Sequence, residues 1–186
     1  MKYEPLVEDT YYHIYNRGNN KEDLFIEERN YNYFLQLMKK HITSVCSVLS
    51  YCLLKNHFHF VVKTKENIKS KEISQAFSNL FNAYSKSINK KYNRTGSLFQ
   101  DRFSRKKIEG ETYLKNLILY VHLNPVHHGF IADFSQYKYS SYQVVLSNSP
   151  TKLNRTYVLS LFEDRLNFIK THSCHKINNL EEYYLE

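Results

Sequence analysis

The pentapeptide NHFHF, residues 56–60, lies in an apolar stretch, VLSYCLLKNHFHFVV (residues 48–62), without glycine or proline and with the Val, Leu, Tyr and Phe content of a β-strand. In an extended chain successive side chains alternate, so His57 and His59 share one face while Phe58, Phe60 and Val62 take the other. Two imidazoles on one face, backed by an apolar face, suit a divalent metal. A pair of surface histidines on a half-exposed strand would look the same, so the motif does not decide alone. The run from residue 45 is long for one average strand, yet no turn residue interrupts it, and one extended strand stays open.

Working outward, YYHIYNR (residues 11–17) alternates and ends at Gly18, which reads as a first strand and a turn. His13, set among aromatics there, reads as a hydrogen-bonded structural histidine. The turn Arg17-Gly18-Asn19-Asn20 could offer backbone amides and a guanidinium to a phosphate. Residues 27–41 carry Tyr31, Phe34, Leu35, Leu37 and Met38 at helical spacing, and residues 70–91 carry Ile73, Ala76, Phe77, Leu80, Phe81, Tyr84 and Ile88 on one side. The second half of residues 97–108 alternates like a strand. A third helix over residues 111–123 is expected to stop near Asn124-Pro125, since proline removes a backbone donor. A tyrosine-rich segment, residues 137–142, follows, and residues 153–171 read as a helix pair or one long helix. Strand, helix, strand, helix, strand suggests a two-layer α+β sandwich.

The charge is uneven. From Lys55 to Lys107 there are thirteen Lys and Arg against three acids (Glu66, Glu72, Asp101), a net of +10, in a chain whose total is +8. A polyanion is the natural partner of such a field. The expected phosphate contacts are Arg17, Lys86, Lys90, Lys91, Arg94, Arg102, Arg105, Lys106 and Lys107, several interleaved with aromatics as single-strand binders require. No apolar run approaches the roughly twenty residues of a membrane span, and the first residues lack a signal peptide's pattern, so no membrane partner is expected. The three cysteines have no metal-site spacing, which points to reduced thiols in the cytoplasm.

The third helix bears Tyr113, Tyr120 and Asn124, the last two sharing a face by their spacing of four. A tyrosine beside a histidine-held metal can attack a phosphodiester, although among seventeen tyrosines periodicity does not single out one.

Together, YHIYNRGNN, YCLLKNHFHFVV, GSLFQDRF, LYVHLNPV and YSSY resemble, in order, the single-tyrosine HUH transposases, most closely the REP-associated branch. The resemblance spans residues 11–142. It implies a ferredoxin-like antiparallel sheet with the histidine pair on a central strand and a nucleophilic tyrosine on a nearby helix. It also implies a divalent metal, Mg²⁺ or Mn²⁺, and cleavage and rejoining of single-stranded DNA next to a palindromic hairpin by a monomer or homodimer. Block position assigns His57 and His59 to the HUH pair and Tyr120 to the nucleophile. Asn124 is the expected third metal ligand, with a helix cap as the alternative role and His122 as the next candidate. The chain departs from the family at His127-His128, where Arg-Ala is frequent, at Tyr139, where Trp is frequent, and at His122, where Glu is frequent. A catalytic domain over residues 1–149 with a helical extension over 150–186 is expected. A domesticated protein that binds DNA hairpins without cutting is the alternative. An RNA-binding ferredoxin-like domain would need aromatics on the sheet face that carries the histidines.

Overall fold

The computed structural model describes residues 4–174. The chain runs β1 (Tyr11–Arg17), α1 (Glu28–His41), β2 (Cys46–Leu54), β3 (His57–Thr64), α2 (Ser70–Lys91), β4 (Ser104–Ile108), α3 (Glu111–His127), α4 (Tyr142–Leu146), α5 (Arg155–Leu161) and α6 (Arg165–Cys174). The strands form one antiparallel sheet in the order β2-β3-β1-β4, the ferredoxin-like arrangement, and β3 is central. The apolar run is therefore two strands. It reverses at Lys55-Asn56, where the Lys55 carbonyl accepts from the Leu24 and Phe25 amides and the Asn56 carbonyl from Gly18. Those partners lie thirty or more residues upstream, so nothing local in the sequence marks the turn.

Alternation along β3 creates two chemically different faces. Phe58 and Phe60 face α1 and α2, where Phe34 lies 5.2 Å from Phe58 and Phe58 lies 5.3 Å from Phe81 (ring centroids). Each such pair adds about 0.5–1.5 kcal/mol beyond the area it buries. The histidines face α3, which lies on the opposite side of the sheet. The sequence LKNLILYVHLNP makes α3 apolar on nearly all sides, and residues 117–125 are all buried. A helix of that kind needs cover on both sides. The sheet provides one cover, and Tyr142 of α4 and Phe168 of α6 provide the other.

One expectation for a helix end is corrected, and an open one is decided. The third helix does not stop before Pro125 but runs through it to His127, so Asn124 is a buried helix-interior residue and not a cap. Proline forfeits one backbone bond there, and the packing of the surrounding turns outweighs that loss. The last helical stretch is a pair, α5 and α6, broken at Phe162–Asp164, with Glu163 at φ 69°. Residues 175–186 of the expected C-terminal extension lie outside the described residues.

Tyr139 to Ser141 runs along the outer edge of β2: the Leu53 amide donates to the Tyr139 carbonyl and the Ser141 amide to the Tyr51 carbonyl. This cover protects an edge strand from foreign pairing. Among the described residues no helix is long and apolar enough to cross a membrane.

Candidate active site

The antiparallel register places Arg17 opposite His57 and Tyr15 opposite His59. His57 (5 % exposed), His59 (1 %), Tyr120 (2 %) and Asn124 (0 %) are all buried. Helical spacing aims the two α3 residues at different histidines. The Tyr120 ring meets the His59 ring edge-on with centroids 5.6 Å apart, and Asn124 Oδ1 lies 3.2 Å from His57 Nε2. Tyr113 belongs elsewhere, stacked beneath the Lys106 ammonium at 5.1 Å. His122 also points away. Its Nδ1 meets His172 Nε2 at 2.9 Å and its Nε2 meets Ser141 Oγ at 2.7 Å, which removes it as an alternative ligand.

The donor set suits a hard divalent cation. His57 Nδ1 is 2.7 Å from Asn56 Oδ1, an acceptor that favours the tautomer with the ring proton on Nδ1 and the lone pair on Nε2. With that tautomer the lone pair faces the amide oxygen of Asn124, while Asn124 Nδ2 is buried and has no hydrogen-bond partner among the described residues. The 3.2 Å separation of these two donor atoms is one that a single ion with bonds of about 2.1 Å can span. Among the described residues no three His, Cys, Asp or Glu group into a metal site, and an amide oxygen beside two imidazoles is a donor set that a hard divalent cation accepts.

Beside the histidines opens a cleft of about 350 Å³, lined by Tyr15, Arg17, His57, His59, Gln100 and Arg102 among others. Gln100 Oε1 accepts from Arg17 Nε at 2.6 Å and orients that guanidinium. The cleft adjoins a recess of about 840 Å³ beneath α2, which shares Asn16, Asp101 and Arg102 with it and adds Arg105, whose guanidinium lies 4.1 Å from the Phe103 ring. Strand alternation thus divides the basic run of β4: Lys106 lies on the histidine face, and Arg105 and Lys107 on the α2 face. Lys86, Lys90 and Lys91 are exposed at the C-terminal end of α2. Because α2 runs back after β3, that end lies on the same side of the molecule as His57. Arg94 is held by Glu22 and Asn89. The Gly18 and Asn19 amides donate to the carbonyls of Asn56 and Leu98, so the turn after β1 does not offer them to a phosphate.

Three site contacts fall outside the expectations drawn from the sequence. Asn56 orients His57, His128 packs its ring 4.7 Å from that of His57, and His13 bonds to His59. The first follows from adjacency to the motif, the others only from register and helix placement. His13 is fully buried. Burial, reinforced by the neighbouring His59 and Lys106, holds its pKa well below the usual histidine value, so it is neutral.

None of the curated proteins matches the chain. Eight solved chains match its fold. One is described as a REP-associated tyrosine transposase bound to a REP hairpin, with 13 % identity, a TM-score of 0.65, and coverage of 81 % of this chain and 88 % of that one. At that identity the likeness speaks for the fold. The family model for IS200-like transposases matches residues 6–124, which takes in the whole sheet, both histidines, Tyr120 and Asn124. With that match over most of its length, the chain belongs to the IS200-like transposase family.

Proposed function

We propose that this protein cleaves and rejoins single-stranded DNA beside a hairpin through a phosphotyrosine intermediate on Tyr120, with Mg²⁺ or Mn²⁺ held by His57, His59 and Asn124. One observation carries the reading: a single helix brings a tyrosine against one histidine of the pair and an amide oxygen against the other. The solved relative's hairpin partner supports the same substrate class.

The residues divide the work. Arg17, oriented by Gln100, and Arg102 draw a strand phosphate into the cleft. A divalent ion, when bound, polarises the scissile phosphate and offsets developing charge. The Tyr120 hydroxyl loses its proton as its oxygen forms the new bond to phosphorus, one phosphodiester P–O bond breaks, and the departing strand gains one proton and leaves as a hydroxyl. Attack by a hydroxyl end on the phosphotyrosine reverses the step without a nucleotide cofactor. Tyr120 lies against the His59 ring and does not line the cleft, so its hydroxyl must advance as the strand enters. The recess beneath α2 continues the cleft and offers the strand a path.

The test is incubation with end-labelled hairpin oligonucleotides bearing single-stranded flanks, with Mn²⁺ and without it, followed by denaturing electrophoresis. A metal-dependent covalent protein–DNA band is expected. Retardation on a native gel with no covalent band at any metal concentration would establish hairpin binding without cleavage instead.

A further inference from the structure

The two site histidines each have a dedicated partner at Nδ1. For His57 it is Asn56 Oδ1 at 2.7 Å, and for His59 it is His13 Nε2 at 2.9 Å. His13 stands diagonally from His59 across the β1–β3 ladder, on the same face, where cross-strand side chains meet. The two rings lie 5.1 Å apart at an interplanar angle of 24°, and the contact is sealed from water. We propose that His13 is a positioning residue for the metal site: its Nε2 accepts the Nδ1 proton of His59 and thereby keeps the Nε2 lone pair of His59 directed at the ion. The inference rests on the function proposed above, since it concerns the same ion.

The argument turns on one proton. His13 Nε2 and His59 Nδ1, 2.9 Å apart, have room for only one hydrogen between them. If His13 donated it, the proton of His59 would sit on its other nitrogen, and that nitrogen could not bind a cation. A ligand at His59 Nε2 therefore requires His59 to donate and His13 to accept, with the proton of His13 on its own Nδ1. Among the described residues that atom is buried without a hydrogen-bond partner, so none of them specifies the tautomer of His13 from that side. A purely structural buried histidine pair would be indifferent to which ring donates. Metal-bound histidines generally donate their second N–H to a fixed acceptor, and removing that acceptor weakens metal binding about 10–100-fold.

The experiment measures Mn²⁺ affinity from the spectrum of the free ion, using full-length protein without DNA. His13→Leu, which keeps apolar volume but cannot accept, should raise the Mn²⁺ dissociation constant by about 10–100-fold. His13→Gln places an amide oxygen near the former Nε2 and should stay within about threefold of the unsubstituted protein. Hairpin retention in EDTA should be the same in all three. Equal Mn²⁺ affinity of His13→Leu and the unsubstituted protein would overturn the proposal and leave the function standing. An unsubstituted protein that binds no Mn²⁺ would overturn both. If His13→Leu does not fold, ¹⁵N resonances of the unsubstituted protein decide the matter under Mg²⁺. His59 Nδ1 should be protonated and coupled to His13 Nε2, and an unprotonated Nδ1 would overturn the assignment.

Discussion

At Tyr120 and Asn124 the roles come apart cleanly under substitution. Tyr120→Phe removes one oxygen and leaves the ring edge against His59, so the covalent adduct should disappear while native-gel retention of the hairpin persists. Tyr113→Phe, under Lys106, should leave the adduct intact. The reverse pattern would move the nucleophile to Tyr113. Asn124→Ala deletes the oxygen facing His57 and should raise the Mn²⁺ needed for cleavage by about 10-fold or more, whereas Asn124→Asp should retain or tighten binding because hard cations favour carboxylate oxygen. An unchanged metal dependence in Asn124→Ala would remove Asn124 from the donor set. Gly18, beside the site, is needed for space alone: a Cβ there would fall 1.9 Å from the Glu22 carbonyl oxygen.

Among the elements, α3 is held from behind by a buried polar chain whose every donor can be assigned. The Phe168 carbonyl must accept from His172 Nδ1, so His172 Nε2 accepts from His122 Nδ1, His122 Nε2 accepts from the Ser141 hydroxyl, and Ser141 Oγ accepts from the Tyr51 amide. The chain ties α6, α3 and β2 together on the side of α3 turned away from His57. Ser141→Ala would leave the Tyr51 amide and His122 Nε2 unpaired in the interior, at a cost of about 1–3 kcal/mol. Urea unfolding should show that loss as a lower midpoint at unchanged slope, with Mn²⁺ affinity retained. A midpoint within error of the unsubstituted protein would mean that the chain contributes nothing net.

Over the whole molecule two measurable consequences follow from charge and burial. Engagement of about five phosphates by the basic groups of the cleft, the recess and the end of α2 should give a log–log salt slope near −3.5 on single-stranded DNA, at roughly −0.7 per contact. A nearly flat dependence would mean that these side chains only solvate the surface. Burial pushes the Cys46 thiol and the Tyr51 phenol each up to about 12, and Cys52 well upward too. Each is neutral in the folded protein, with its folded pKa above its unfolded one. The stability that Cys46 contributes is therefore complete below the ordinary thiol value of 9.0 and is lost as pH rises through about 12. Urea midpoints should fall from pH 9 upward, and Cys46→Val, with no proton to lose, should show a shallower fall. A native protein at pH 8 should expose Cys174 to a thiol reagent and protect Cys46 and Cys52, all three reacting once unfolded.

Local chemistry decided much of this protein before any folding partner is considered. Alternation alone separated His57 and His59 from Phe58 and Phe60, the spacing of four put Tyr120 and Asn124 on one face, and the apolar periodicity of residues 70–91 matches α2 end to end. These are properties of backbone geometry, which repeats every two or 3.6 residues whatever the rest of the chain does. Contacts distant in sequence decided the remainder. The turn at Lys55-Asn56 exists because residues 18–25 supply its hydrogen-bond partners, and α3 passes through Pro125 because sheet and C-terminal helices bury it from both sides. His13 reads as one more aromatic-flanked strand residue until the register of β1 on β3 sets its nitrogen beside His59, a separation of 46 residues that no local period encodes.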